Sequence, residues 1–335
     1  MAAFADADHD PLAGLLDLER VTAWLDSLHL GAGPITAERI EAGETNEMFV
    51  LTRGGERWVL RRPAGVALDR SEDNLRREYR LMSALDGSPV PHPRAVALCE
   101  DRDVLGCVFY VMGHVDGVMP ANESYDTPEE SAELGFALMD ALAELHRADW
   151  RALGLEDFGR PDGFHERQVQ RWMRQLESYG ARELAGIHDV GRWLGAHLPT
   201  EWTPTIMHGD YHMLNVLVSR ERPRRVLAIV DWETATIGDP YVDLAGYLRM
   251  YDERRNREPQ AGWPDRGAMI ERYDATRGVA SPDLTYYSVL ARFRLAVLLE
   301  GVYQRSLVDP TRTASEQMGA YVEDLVVGAL AEIGD

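Results

Sequence analysis

Apolar positions along this chain change period near residue 120, and that change divides it. LAGLLDLERVTAWLDSL (12–28) carries apolar residues at helical spacing, and GAGP (31–34) ends the run. From 35 to 63 the pattern alternates in strand fashion, broken at AGETN and at TRGGE, where the Gly54–Gly55 pair signals a hairpin. SEDNLRREYRLMSAL (71–85) opens on a serine with acids in its first turn, which predicts a capped helix. RAVALCE and CVFYVMGHVDG predict two more strands. Beyond them helical spacing dominates: 127–150, 165–180, 184–197, 240–251, 266–276, 283–306 and 313–332. One exception interrupts it, where NVLVS and RVLAIVDW flank the turn-rich SRERPRR and predict a short β-hairpin among helices. The expected architecture is α+β: a helical extension over 1–34, a β-rich lobe over 35–115, and an α-rich lobe over 116–335 with a small central hairpin.

Composition narrows the function classes. With 335 residues and 45% hydrophobic content, the chain can bury a full core. No run of eighteen apolar residues predicts a membrane span, and the acidic start MAAFADADHD lacks the features of a secretory signal. Cys99 and Cys107 are too few for a disulfide framework, so a cytoplasmic setting is expected. A formal net charge of −21 argues against nucleic acid or an anionic membrane as partner. All 35 basic residues are arginine, so any phosphate-binding cation here is a planar, multidentate guanidinium.

Candidate chemistry lies in IMHGDYHMLNVLV (206–218) and IVDWE (229–233). Asp210 stands two residues from His208 and two from His212, so it reads as a metal ligand, a structural carboxylate or a base. Asn215 follows five residues later and Asp231 sixteen beyond that. The strand patterns around Asn215 and Asp231 would bring an amide oxygen and a carboxylate to one end of a hairpin. Those are the hard donors that Mg²⁺ takes. Asp210, on the preceding loop, would stand beside the ion, free to accept a substrate hydroxyl proton.

HGDYHMLN, DWE and GDPYVDLA resemble the motifs of the aminoglycoside phosphotransferase and choline kinase-like family, which has the protein-kinase-like fold. The likeness runs over roughly 35–330. It is nearest to the phosphotransferase domains associated with acyl-CoA dehydrogenases, where a VLR run replaces the lysine motif. The resemblance implies ATP (or GTP) as phosphoryl donor, Mg²⁺ on Asn215 and Asp231, and Asp210 as catalytic base with His208 ordering its loop. It also implies a small-molecule hydroxyl acceptor. In WVLRR it points to Arg61 as the cation on the α- and β-phosphates, paired with Glu78, with Val59 on the same strand face over the adenine. AGETNEMF would cover the nucleotide with Thr45 and Asn46, and FYVMGHV would place Met112 at the adenine edge.

Blander roles are expected nearby. Asp243 reads as a cap or a brace for the catalytic loop, His212 as a loop residue without a role, and Glu233 as a second metal contact or an arginine partner. Trp172, Tyr179, Trp193 and Trp202 read mainly as core. Two other readings stay open at this point. His208, Asp210 and His212 could gather zinc in a metallohydrolase, or the chain could be a non-catalytic nucleotide-binding module.

Overall fold

The computed structural model describes residues 14–40, 46–65, 69–122, 127–180, 182–257, 261–308 and 316–334. They form two compact units. The first holds Met1–Val118 and Leu227–Glu233, the second Met119–Val226 and Thr234–Asp335. Thr45 lies outside the described residues.

The first unit is built on an antiparallel five-stranded sheet of order β1-β2-β3-β5-β4: β1 Ile35–Ile40, β2 Asn46–Arg53, β3 Glu56–Pro63, β4 Ala95–Cys99 and β5 Phe109–Gly113. Gly54 and Gly55 turn β2 into β3 at φ of 56° and 88°. A Cβ on Gly54 would stand 2.6 Å from the Ala32 carbonyl oxygen, so the turn needs glycine twice over. Phe49, Leu51, Trp58 and Leu60 point to one face. There they bury against Val21 and Leu25 of α1 (Leu18–Ser27). That packing makes α1 part of this unit's core. Asp17 caps it by accepting the Arg20 N–H, so the helix starts later than its apolar run. α2 (Asp69–Leu85) starts two residues before the expected serine cap and carries Glu72 and Glu78, both buried. A one-turn α3 (Arg102–Leu105) was not foreseen. Cys99 and Cys107 are free and buried.

The second unit is helical: α4 Pro128–Arg147, α5 Phe164–Ser178, α6 Ile187–Ala196, α7 Tyr241–Arg257, α8 Arg266–Arg277, α9 Thr285–Val308 and α10 Glu316–Gly334. α4 packs on α8, and α9 on α5, α7 and α10. Thr127 caps α4 from its hydroxyl, ahead of Pro128 at the first helical position. A short antiparallel pair, β6 (Thr205–Met207) with β9 (Thr236–Gly238), holds the base of the HGD segment. Three residues per strand are too few to show an alternation, so this pair was not legible. β7 (Val216–Val218) runs into a turn closed by the Ser219 N–H to the Arg225 carbonyl at 2.9 Å. β8 (Val226–Ile229) follows, and its Ile229 N–H donates to Pro91 at 2.8 Å within the first unit. Among the described residues, no helix is long and apolar enough to cross a membrane.

Candidate active site

In the first unit, strand alternation decides between the two arginines of β3. Arg62 shares the face of Trp58 and Leu60, and its guanidinium donates to the Leu15 carbonyl. Arg61 takes the other face, 6% exposed, where Nη1 is 3.4 Å from Glu78 Oε2 and Nη2 donates to Asp231 Oδ1 at 2.9 Å. Glu233 Oε2 lies 3.8 Å from the same Nη2. The Tyr110 hydroxyl donates to Glu78 Oε2 at 2.8 Å. Burial lifts the Glu78 carboxyl to about 7 against the opposing pull of Arg61 and Tyr110. Burial acts to lower the Arg61 guanidinium, but Tyr110, Glu78 and Asp231 outweigh it and hold it above the ordinary arginine value. Glu72 is occupied elsewhere, accepting from the Val108 N–H at 3.1 Å and from Arg102 at 2.6 Å.

Asp231 has a left-handed backbone, φ 66°. For a residue with a Cβ that conformation costs roughly 1–2 kcal/mol, and such outliers cluster at functional sites. Val59 pairs with Met112 across β3 and β5, and Asn46 pairs with Pro63 at the far end of β2. The sheet thus holds Val59, Arg61 and Met112 together, and Asn46 opens β2 on the same face, two residues beyond the partner of Arg61.

In the second unit, the HGD loop hangs on one carboxylate. Asp243, in the first turn of α7 and 4% exposed, accepts the backbone N–H of His208 at 2.6 Å and of Gly209 at 2.9 Å. The Thr234 hydroxyl fixes the same loop by donating to the His208 carbonyl at 2.8 Å. Gly209 has φ 83°, and a Cβ there would meet the Thr234 carbonyl oxygen at 2.7 Å. Buried His208 accepts the Asp210 N–H at Nδ1, 3.3 Å away. It orders the loop from inside, and among the described residues no group of three or more His, Cys, Asp or Glu side chains could hold a metal ion.

Asp210 itself is exposed, 54% of its side chain. Its Oδ2 accepts from Asn215 Nδ2 at 3.1 Å and faces His212 Nε2 at 3.3 Å. His212 Nδ1 accepts the Leu214 N–H at 3.1 Å, which assigns the ring proton to Nε2 and makes it a donor to Oδ2. Partial burial acts to raise the Asp210 carboxyl, but the His212 hydrogen bond, with the electrostatic pull of His212, His208 and Arg294, brings it below the ordinary aspartate value. The carboxylate is therefore ionised and held by Oδ2, with Oδ1 facing outward. Asn215 spends its amide N–H groups on the Asp210 backbone carbonyl (2.9 Å) and Oδ2. Its Oδ1 remains as a hard oxygen donor, which fits a divalent ion. His212, read from the sequence as a loop residue without a role, thus contacts the candidate base.

The profile of the phosphotransferase enzyme family matches residues 36–279. The chain belongs to that family. Acyl-CoA dehydrogenase family member 11 of Gallus gallus is 31% identical over 293 residues, covering 83% of this chain and 38% of that protein. The Homo sapiens counterpart is 30% identical over 314 residues, covering 90% and 40%. The chain therefore spans about two fifths of the length of these relatives. A candidate aminoglycoside phosphotransferase from Ralstonia eutropha JMP134 superposes with a TM-score of 0.83 at 27% identity, over 94% of this chain and 98% of the other. A macrolide 2′-phosphotransferase of type I shares the fold at a TM-score of 0.58 and 20% identity, over 93% and 98%. This member of the family accordingly has the α+β, protein-kinase-like fold: a sheet-built N-terminal unit and a helical C-terminal unit.

Two further residues bear on the catalytic loop and were not found from sequence. Arg294 of α9 donates to the Gly209 carbonyl at 3.3 Å, while its buried Nε has no hydrogen-bond partner among the described residues. His146 of α4 is wholly buried, with Nδ1 2.7 Å from the Tyr273 hydroxyl and Nε2 3.4 Å from Asp243 Oδ2. Burial keeps the imidazole below its ordinary value despite the pull of Asp243. The unfolded ring gains a proton as pH drops through about 6.5, and the folded ring resists it. The unfolded state then binds more protons, so stability is lost as pH falls through that window. Asp243 acts in the same direction at lower pH. Burial acts to raise its carboxyl, but His146 and His208 hold it below the ordinary range, and its contribution disappears as it protonates. The thermal midpoint should therefore decline between about pH 7.5 and 5.5 more steeply in the natural chain than in His146→Gln, where that proton uptake is gone. Parallel declines would remove His146 from the account.

Proposed function

We propose that this phosphotransferase moves the γ-phosphoryl group of ATP, or of GTP, to a hydroxyl group on a small molecule. The observation that carries the reading is the state of Asp210: ionised, pinned at Oδ2 by Asn215 and His212, and exposed at Oδ1. A carboxylate so held accepts a hydroxyl proton and orients the oxygen for attack, which is general-base work. Arg61, positioned by Glu78, clamps the α- and β-phosphates, and Val59 and Met112 line the adenine. The Asp231 carboxylate of the sheet unit and the Asn215 amide oxygen of the helical unit are each hard donors that would suit Mg²⁺, whose charge would offset that of the phosphates. Catalysis is then mostly positioning and electrostatics.

The groove at Asp210 favours one acceptor class over another. Asp210 and Asp243 are its acids, and both are engaged. Its other contributors include Arg249, Arg294, Leu295 and Leu298. That lining suits a hydroxylated metabolite of the cell better than a polycationic antibiotic, despite the overall charge of −21.

Calorimetry tests the nucleotide half of the proposal. ATP should bind more tightly with Mg²⁺ than without it, and Asp231→Ala should lose that dependence while keeping its thermal melt. Unchanged Mg²⁺ dependence in Asp231→Ala would remove Asp231 from the metal site. Titrating GTP alongside decides the donor.

A further inference from the structure

The helical unit holds a second cavity of about 560 Å³, and none of its residues lines the groove at Asp210. It opens where α4 and α8 end, between the approach to β6 and the start of α7. Its size is that of an ordinary small-ligand site. Arg277, the last residue of α8, turns its guanidinium over the ring of Tyr241 at 4.9 Å and of Tyr273 at 5.9 Å. Its Nη1 is buried and has no hydrogen-bond partner among the described residues. Arg147 stands on the same wall, and the half-buried ring of Trp202 and the ring of Tyr241 supply flat apolar surface. Glu201 is the cavity's one acid, and it is exposed.

We propose that this cavity is a second binding site, for a small planar organic anion whose carboxylate pairs with Arg277 and whose ring lies against Trp202 and Tyr241. Arg277 is half-buried and lines the cavity, so its guanidinium can offer an oxyanion charge-assisted bonds from the cavity side. The Arg277 guanidinium beside the Trp202 and Tyr241 rings selects an anion with a flat body over a bare inorganic one.

The site also has a physical route to the catalytic loop. Tyr273, beneath the Arg277 guanidinium, bonds His146; His146 bonds Asp243; and Asp243 holds the His208 and Gly209 N–H groups. The Arg277 charge opposes protonation of His146. An anion on Arg277 cancels that opposition and strengthens the grip of His146 on Asp243. Binding itself does not depend on the phosphotransferase reading, whereas the value of this coupling to catalysis does.

Sodium benzoate is the probe, titrated into the full chain by calorimetry, with inorganic phosphate as a second titrant. Benzoate should bind saturably, roughly tenfold or more weakly in Arg277→Gln and in Arg277→Lys, since lysine lacks the planar fork. Trp202→Leu should weaken benzoate and leave phosphate unchanged. Mg²⁺-ATP affinity in Arg277→Gln should match that of the natural chain, which certifies the variant as folded. If Arg277→Gln melts early, the Lys variant carries the test. Benzoate binding that is non-saturable, or equal in every variant, overturns the site. Equal affinity for phosphate and benzoate overturns the planar part of the ligand. Saturating benzoate should also shift the backbone amide resonances of His208 and Gly209, and unmoved amides overturn the coupling.

Discussion

Asp210→Asn should lower turnover by at least about a hundredfold, since general-base contributions run about 10²–10⁴-fold. The amide keeps the size of the carboxylate but not its chemistry. Asn215 Nδ2 and His212 Nε2 both donate toward the present Oδ2. The new side chain must therefore turn its oxygen to them and its NH₂ outward. A donor then meets the substrate hydroxyl where an acceptor is needed. Mg²⁺-ATP affinity and melting temperature should change little, because Asp210 is exposed and caps no helix. His212→Ala should give a smaller loss, confined to kcat, by freeing Oδ2 from one of its two donors. Turnover, an ATP titration and a melt on one preparation separate the readings. Lost nucleotide binding would make Asp210 a metal ligand, and a collapsed melt would make it structural.

Arg61→Ala should act on both nucleotide binding and the fold. Glu78 is 1% exposed and keeps only the Tyr110 hydroxyl once the guanidinium is gone. Breaking a buried pair from one side costs about 3–5 kcal/mol, so urea denaturation should show a loss of that order. Replacing both partners by apolar side chains, Arg61→Met with Glu78→Leu, should recover most of it, because no uncompensated charge remains. Nucleotide binding should not recover. Without the clamp, ATP should weaken far more than adenosine in both variants. Equal losses for the two ligands would confine Arg61 to a structural role.

Much of this architecture was legible because each long element carries its own period. β2 alternates Phe49 and Leu51 inward, and the α-helical runs after 127 repeat at helical spacing over ten or more residues. The lesser elements were not: β6, β9 and α3 are three or four residues long, too short for a period. The helix over 12–28 was legible as a helix but not as part of the sheet unit, since its partners Phe49, Leu51, Trp58 and Leu60 lie farther along the chain. At the site, Asp210, Asn215 and Asp231 announced themselves by residue type and spacing. His212 did not, because nothing in HMLN says which way the ring turns; the Leu214 N–H decides that. Arg294 and His146 reach the loop from 85 and 62 or more residues away, through tertiary contacts that no local pattern encodes. The choice of Arg61 over Arg62 was open to alternation, and β3 places them on opposite faces.

The most direct test of phosphoryl transfer with Asp210 as base is a ³¹P NMR assay. The purified chain is incubated with Mg²⁺-ATP and a panel of hydroxylated small molecules, and Asp210→Asn is run beside it. The account predicts an acceptor with which ADP and a new phosphomonoester appear in equal amounts, at a rate that falls at least about a hundredfold in the variant. Inorganic phosphate released at one rate whatever the acceptor, or an ester formed equally fast by Asp210→Asn, would contradict it.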